Sequence, residues 1–154
     1  VAPAGLTTLG DDVFYASKLT KVSLNAALAT MGKGVFAGCT ALQTIAVDPE
    51  NKAFTVQDGV LFSADIATLY AYPQADTRTS YATPSTVTVI KSSAFDCAEK
   101  LEELRINEGV EAITNSMCYG DKGLLSSISL QLLRLSTWAR STLALTSLNS
   151  TSVP

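Results

Sequence analysis

The stretch Leu19-Thr20-Lys21-Val22-Ser23-Leu24 decides how this chain folds, because its spacing of aliphatic residues returns at intervals of 23 or 24 residues, with one interruption. The spacing Leu-x-x-Leu-x-Leu occurs at four places: Leu19-Val22-Leu24, Leu42-Ile45-Val47, Leu101-Leu104-Ile106 and Leu125-Ile128-Leu130. A repeat of this length is typical of a solenoid, in which each unit buries its apolar edge against its neighbours. The pattern therefore predicts an elongated binding or spacing module and not an enzyme with a deep pocket.

Each repeat carries further apolar residues, which we number from its first leucine as position 0. Apolar residues recur at +3, +5, +9 and +12, and a small or branched residue and an aromatic residue follow at +16 and +17. In the unit that begins at Leu19, these positions hold Val22, Leu24, Leu28, Met31, Val35 and Phe36. Positions +3 and +5 alternate with outward residues, so the units predict one parallel ladder of strands along the solenoid. The stretch from +12 to +20 is interpreted as a short helical turn or a second strand.

Two further units share only the later positions of the repeat. Pro3 and Pro84 lie at +6, just past the predicted strand, where a missing N–H does least harm to a ladder. Phe14 and Phe95 follow at +17. The next position 0 after Leu42 is therefore Arg78, one period later plus an insertion.

The composition limits the possible functions. With 154 residues there is room for one domain, and 47% of the residues are apolar whereas only 16% are charged, against roughly 25% in an average soluble domain. The net charge of -3 gives no basic patch for nucleic acid. The chain has no run of about 18 apolar residues, which is the length that a helix needs to span a bilayer. The chain begins at Val1 without a signal-like segment, so we expect it to be part of a longer protein.

The residue types also argue against a catalytic or zinc site. The chain has no histidine, so the common nucleophilic triads and the usual zinc spacings cannot be built. Cys39, Cys97 and Cys118 form no C-x-x-C pair, and we expect buried free thiols. These residue types predict a protein that is not an enzyme and that holds no cofactor and no metal.

The interruption between Val47 and Tyr81 predicts a small β-meander at about residues 48–77. The turn Asp58-Gly59 lies between the apolar runs 54–57 and 60–62, and it is a strong hairpin signal because such a turn needs positive φ at both central residues. A third run, Leu69-Tyr70-Ala71-Tyr72, stops at Pro73. We therefore expect three strands inserted into one coil.

These segments carry a family resemblance. The phrases VDPENKAFTVQDGVLFSADIATLYAYP (47–73), TPSTVTVIKSSAFDCAEKLEELRINEGVEAI (83–113) and VFAGCTALQTIAV (35–47) resemble the BspA-like leucine-rich repeats. The resemblance covers about residues 1–130 and implies a right-handed leucine-rich-repeat solenoid, mostly β with short helical or 3-10 turns. It also implies a cell-surface or secreted setting and binding to host matrix proteins or other cells.

The sequence after Leu130 departs from the repeat, as does Met117-Cys118, where cysteine replaces the aromatic residue. We divide the chain into a repeat domain at 1–130 and an atypical tail at 131–154. One interpretation is a helical cap that covers the last coil with Leu132, Leu135 and Trp138. The other is a reading-frame slip, because deleting one nucleotide from a Leu-Pro-Ala codon stretch can produce such a tail from a regular repeat.

The candidate partner-binding residues are those predicted to point outward on the strand face, together with two tyrosines of the insert. They are Lys21, Ser23, Thr44, Glu103, Arg105, Ser127, Tyr70 and Tyr72. The strand-face positions are mostly small and neutral, so no strong hot spot is evident. Packing inside the sheet is the alternative role for the tyrosines.

Acidic and amide residues gather near the insert at Asp48, Glu50, Asn51, Asp58 and Asp65. Calcium sites use such oxygens, but Asp and Asn are also favoured at turns for backbone reasons, which is the interpretation that we prefer.

The sequence therefore predicts a non-catalytic protein-binding or adhesion module of a larger surface or secreted protein. Its expected partner is a protein or a glycan, with host matrix as one possibility. The alternative is a structural spacer without a ligand of its own.

Overall fold

The computed structural model describes Pro3 and residues 5–113, and these form a β-solenoid of about five turns. Eleven short strands follow one another in this part of the chain: β1 (Thr8–Leu9), β2 (Lys21–Leu24), β3 (Thr30–Met31), β4 (Thr44–Val47), β5 (Phe54–Gln57), β6 (Val60–Ser63), β7 (Thr68–Ala71), β8 (Ser80–Ala82), β9 (Val89–Ile90), β10 (Glu103–Arg105) and β11 (Ala112–Ile113). We call the turns the first coil (3–18), second coil (19–41), third coil (42–77), fourth coil (78–100) and fifth coil (101–113). The predicted solenoid is confirmed.

One strand of each coil after the first begins at position +2. β2 pairs in parallel with β4, and β8 pairs in parallel with β10, each in the register that the repeat predicts. The residues at +3 are buried and those at +2 are exposed, because successive side chains of a strand point to opposite faces. We call these four strands the front face. It consists of two separate two-stranded sheets, so the predicted continuous ladder is interrupted at the insert.

A second strand of the coil lies at +11 and +12. A second strand was one of the two interpretations given above for the stretch that begins at +12. β1 pairs with β3, and β9 pairs with β11, again in parallel. The described residues between +13 and +20 form isolated turns closed by i→i−3 hydrogen bonds, of the 3-10 kind that the resemblance implied, and contain no continuous helix.

The hydrogen bonding explains why this stretch is not helical. Tyr15 and Ser17 donate to carbonyls three residues back, as a 3-10 turn requires. The N–H groups of the alternate residues Asp12, Phe14 and Ala16 donate instead to the second coil. Consecutive turns therefore cannot join into a helix, because every other donor serves the neighbouring coil.

The predicted meander is confirmed. β5, β6 and β7 are antiparallel neighbours, and the turn between β5 and β6 has φ of 51° at Asp58 and 80° at Gly59. The meander is also part of the solenoid, because β7 pairs in parallel with β9 of the fourth coil. This gives a five-stranded sheet in the order β11-β9-β7-β6-β5.

Two asparagines, the buried Asn51 and the half-buried Asn107, bind consecutive coils together. The Asn51 amide donates to the carbonyls of Asn25 (2.8 Å) and Leu28 (2.9 Å) in the second coil. The Asn107 amide likewise donates to the carbonyls of Pro84 (2.7 Å) and Val87 (3.1 Å) in the fourth coil. Each amide thus donates to two carbonyls of the preceding coil, at +6 and +9, and so links the two coils by side-chain hydrogen bonds.

The core consists of two clusters that meet at the insert. One joins Val60 and Phe62 to the fourth and fifth coils, and the other joins Leu61 to the first three coils. All three side chains are fully buried. The aromatic position +17 is filled by stacked rings: Phe14 lies 5.7 Å from Phe36.

Replacing Phe95 by alanine tests this packing. Phe95 is fully buried, with its ring 5.4 Å from that of Tyr72, so the cavity should lower the free energy of unfolding by about 3–5 kcal/mol in urea titrations. Phe14 is the matched control, because it is half-buried at the first coil. Phe14→Ala should cost only about 1–2 kcal/mol; equal losses for both variants would contradict the packing described.

Candidate partner-binding surface

The front face presents most of the predicted strand-face residues. Lys21 and Thr44 are exposed and lie side by side on β2 and β4. Ser23 lies on the same strand as Lys21 and is half-buried. Glu103 and Arg105 are exposed on β10. Ser127 lies outside the described residues.

The geometry groups these side chains into two patches. Lys21 and Thr44 belong to the sheet of β2 and β4, and Glu103 and Arg105 to that of β8 and β10. The Arg105 guanidinium donates to the Glu103 carboxylate at 2.7 Å. The two side chains are 63% and 48% exposed, so the pair adds at most about 1 kcal/mol to stability. Its charges remain accessible to a partner.

The two tyrosines of the insert occupy different environments. Tyr72 is only 2% exposed and packs against Tyr81 and Phe95, so the packing interpretation agrees with its position and a direct contact with a partner does not. Tyr70 is half-buried, with its ring edge-on to Phe54 at 5.2 Å. Tyr70 remains a predicted contact residue.

Arg78 holds the hairpin of the insert against the fourth coil, a role that the sequence did not reveal. Its guanidinium lies 5.3 Å from the Tyr72 ring and 5.4 Å from the Tyr81 ring. It donates to both carboxylate oxygens of Asp76, at 2.6 and 3.1 Å, and to the carbonyl of Asp58 at 2.8 Å. The only available signal was an arginine at position 0, where the other coils have leucine.

The pKa shifts follow from this arrangement. Burial, and then the charge of Asp76, raise the pKa of Tyr72 to about 12. Burial acts to raise the pKa of Asp76 as well, but the hydrogen bonds and charge of Arg78 outweigh it and hold that pKa below its ordinary value. The carboxylate and the guanidinium are therefore both charged at neutral pH, whereas the phenol is not.

Asp96 is a second buried polar residue that sequence reasoning missed. It is 4% exposed, and one carboxylate oxygen accepts the N–H of Gly38 at 2.8 Å across the insert. Nearby, the Gln74 amide donates to the carbonyl of Phe36 at 2.6 Å. These side chains replace backbone hydrogen bonds that the irregular third coil does not supply. Burial raises the pKa of Asp96, against the opposing effect of hydrogen bonds from Gly38 and Cys97.

The acidic residues near the insert serve the backbone, as preferred above. Asp48 accepts the N–H of Glu50 at 2.9 Å, and Asp65 accepts the hydroxyl of Ser63 at 2.5 Å and the N–H of Ala67 at 3.1 Å. Within residues 5–113 no three His, Cys, Asp or Glu side chains are grouped as metal ligands would be.

The cysteines differ in burial. Cys39 is fully buried and donates to the carbonyl of Phe14 at 3.0 Å, which confirms the expected buried thiol. Cys97 is half-buried, and Cys118 lies outside the described residues. In the part of the chain that the structure describes, no helix has the length and apolar character needed to cross a membrane.

Parallel front strands, short second strands and stacked +17 rings define a leucine-rich-repeat solenoid. The sequence matches the BspA type leucine rich repeat region in six copies, over residues 1–74 and 68–154. The chain belongs to this family, as its motifs predicted.

Solved bacterial structures share this architecture. A leucine-rich repeat protein from Eubacterium ventriosum is 28% identical, with a TM-score of 0.77 over 79% of this chain and 33% of its own. The pneumococcal vaccine antigen PcpA is also 28% identical, with a TM-score of 0.70 over 80% of this chain and 33% of its own. A leucine rich cell surface protein from Faecalibacterium prausnitzii shares the fold at 19% identity, with a TM-score of 0.70. The match covers 87% of this chain and 39% of that protein. This chain thus spans a third to two fifths of these proteins, and no curated protein matches its sequence.

Replacing Arg78 by lysine tests the clamp on the hairpin. Lysine keeps the charge but cannot reach Asp76 with two nitrogens and Asp58 as well. We expect a loss of about 1–3 kcal/mol in the free energy of unfolding, measured by urea titration. Arg105→Lys changes an exposed pair and should cost less than about 0.5 kcal/mol; a similar loss in both variants would count against the clamp.

Asp96 should make stability depend on pH. Its folded pKa is raised above the ordinary 3.8, so above about pH 4 the unfolded chain releases this proton more readily and the free energy of unfolding falls. Asp96→Asn keeps an acceptor for Gly38 and removes the charge. Its stability relative to the wild type should therefore rise between pH 4 and pH 7 in urea titrations.

Asp96→Ala is the control for this experiment, because it removes the same titration but leaves the Gly38 N–H without an acceptor. It should be less stable than Asp96→Asn by about 1–3 kcal/mol at both pH values. Parallel pH profiles for the wild type and Asp96→Asn would show that the carboxyl is not perturbed.

Proposed function

We propose that this chain is a non-catalytic protein-binding module of a surface or secreted bacterial protein, with an adhesive role. The observation that carries the proposal is the front face, where Lys21, Thr44, Glu103 and Arg105 are exposed on strands whose alternate residues fill the core. Repeat proteins commonly use such extended faces to bind partners. The partner is a protein or a glycan, host matrix proteins included.

The names of two similar structures support the surface setting. One is described as a vaccine antigen of the pneumococcus and another as a cell surface protein. Non-catalytic function is supported by the residue types, because the whole chain contains no histidine to act as a general base.

The front face favours a broad contact of modest affinity. Its two charged patches are separated, and its other outward positions are small: Ala46, Ser80 and Ala82. Binding energy usually comes from a few buried aromatic or arginine anchors. Arg105 is the one exposed side chain of that kind at the candidate positions on the described front strands.

The same scarcity of anchors favours a second candidate function, a structural spacer that projects other parts of a longer protein. Because neighbouring coils share their cores and hydrogen bonds, the solenoid is held together whether or not a ligand is bound. The two functions differ in whether substitutions on the front face change binding.

The experiment measures binding of the purified chain to a panel of purified extracellular matrix proteins by biolayer interferometry. Lys21→Glu reverses the charge of the first patch, and Arg105→Glu, in the same variant, makes the neutral Glu103–Arg105 patch negative. We expect at least a tenfold increase in Kd for the protein that binds, with an unchanged thermal unfolding curve. Lys52→Glu, an exposed change outside the front strands, is the control and should leave Kd within about twofold.

Two outcomes would decide against the binding role of this face. One is an unchanged Kd in the double variant, and the other is an equal loss of affinity in the control variant. Either result, with folding intact, would favour the spacer.

A further inference from the structure

The turns of the first coil show what each coil offers to the next. Three alternate N–H groups of the first coil donate to carbonyls two residues apart in the second coil. The pairs are Asp12 to Lys33 (2.9 Å), Phe14 to Val35 (3.0 Å) and Ala16 to Ala37 (2.8 Å). The donors lie at +15, +17 and +19, and the acceptors at +14, +16 and +18. A coil of this type therefore presents a row of three N–H donors to the coil that follows it.

The same row in the second coil is only partly used. Its donors are Gly34, Phe36 and Gly38. Gly38 donates to the carboxylate of Asp96 at 2.8 Å. Among the described residues, the N–H groups of Gly34 and Phe36 have no hydrogen-bond partner. Since they occupy the positions of Asp12 and Phe14, they point toward the third coil.

The third coil is too short here to meet them. The Leu9 carbonyl, at +12 of the first coil, accepts the N–H of the residue at +13 of the second coil, Gly32. The Leu69 carbonyl accepts the N–H of the residue at +13 of the fourth coil, Lys91, in the same way. Leu69 therefore corresponds to position +12. Tyr72 donates to Ala94 at 2.7 Å as Phe14 donates to Val35, so Tyr72 lies at +17. Only two residues separate these positions, whereas the second coil has four, at 32–35. The residue at +14, whose carbonyl would face Gly34, is therefore missing. Ala71 takes position +16, but it pairs with Leu61 of β6, and its carbonyl does not accept the N–H of Phe36.

A cleft remains where these residues are missing. It is lined on one side by Met31, Gly34 and Phe36 of the second coil, and on the other by Tyr70 of the third coil and Lys91 of the fourth. The Lys91 ammonium lies 5.7 Å from the centre of the Tyr70 ring, at the edge of the cleft. The cleft thus combines two N–H donors and a positive charge, and Ser92 and Ser93 add polar groups to its lining.

The chemistry of the missing partner can be derived from its neighbours. Elsewhere the same donors are met by peptide carbonyls two residues apart, and at Gly38 by a carboxylate oxygen. Left-handed backbone at Gly34 (φ 57°) turns successive N–H groups toward one side, which is an arrangement that binds anionic or carbonyl oxygens. A peptide in an extended conformation presents its carbonyls at the required spacing.

We propose that this cleft binds a short extended peptide segment with an acidic side chain. Its carbonyls accept from Gly34 and Phe36, and its carboxylate pairs with Lys91. The segment takes the place of the residues that the third coil lacks. This inference rests on the proposed binding function, but it assigns the contact to a site away from the front face.

The test is an NMR titration of the ¹⁵N-labelled chain with the blocked tripeptide acetyl-Ala-Asp-Ala-amide. We expect saturable shifts of the Gly34 and Phe36 amide signals that exceed those of Phe14 and Gly38. Lys91→Gln should weaken the tripeptide at least fivefold, and Lys52→Gln should not. The Asn analogue of the tripeptide should bind more weakly because it lacks the charge.

Three results would overturn the proposal. Gly34 and Phe36 could remain unshifted at 10 mM tripeptide, on the order of the weakest affinity that such a short ligand would show. Lys91→Gln and Lys52→Gln could weaken binding equally. Sodium acetate could reproduce the shifts at the same concentration, which would show an anion site without peptide recognition.

A second variant tests the geometry without a ligand. Inserting Gly-Lys between Tyr70 and Ala71 restores the length of the third coil. Hydrogen exchange at the Gly34 amide should then slow at least tenfold, and the tripeptide response should disappear. Unchanged exchange at Gly34 in a folded insertion variant would contradict the missing-carbonyl explanation. Neither variant alters the front face, so failure here leaves the front-face measurements independent.

Discussion

The structure depends on strand β6, whose side chains alternate between two cores. Leu61 belongs to the cluster of the first three coils, and Val60 and Phe62 belong to the cluster of the last two. All three are fully buried, which is unusual for a strand of an inserted hairpin. A single coil buries too little apolar surface to offset its own ordering entropy, so the coils depend on cores that they share. The insert therefore joins two half-solenoids into one cooperative unit.

This arrangement disturbs the hydrogen bonding of the coils. β6 takes the edge of β7 that a regular coil would offer to β3, so the ladder of second strands is split into two sheets. Asp96 and Gln74 supply side-chain partners for the Gly38 N–H and the Phe36 carbonyl across this break. Within the described residues, no side chain or backbone carbonyl accepts a hydrogen bond from the N–H groups of Gly34 and Phe36. The same insertion that unites the cores thus leaves a cleft beside the N–H groups of Gly34 and Phe36.

Much of the architecture was predictable because it is encoded locally. Asp58-Gly59 fixes a two-residue turn by its backbone preference, and the period of the aliphatic residues fixes which side of each front strand is buried. Position +12 was correctly assigned to the core, since Leu9, Ile90 and Ile113 are all buried. These features need no knowledge of distant residues.

The errors and omissions arise where a residue's partner lies in another coil. A short helical turn and a second strand were both left open for the stretch from +12 to +20, because local propensity does not show that alternate N–H groups serve the next coil. The residues at +15 and +19 adopt positive φ whether or not they are glycine, as Asp12, Ala16, Ser93 and Cys97 show. Local sequence could not reveal this strain, which neighbouring coils impose.

Asp96 illustrates the limit most clearly. It follows Phe95 in what looks like an exposed turn, but it is buried because the shortened third coil leaves an unsatisfied donor 58 residues away. A carboxylate is a costly way to satisfy one N–H, since burial disfavours its charged form. Its Oδ2 nevertheless accepts the Gly38 N–H where the shortened third coil offers no carbonyl, although within the described residues its Oδ1 is buried without a hydrogen-bond partner. A partner that enters the neighbouring cleft must likewise supply an acceptor, which is why peptide oxygens, rather than apolar side chains, should determine what binds there.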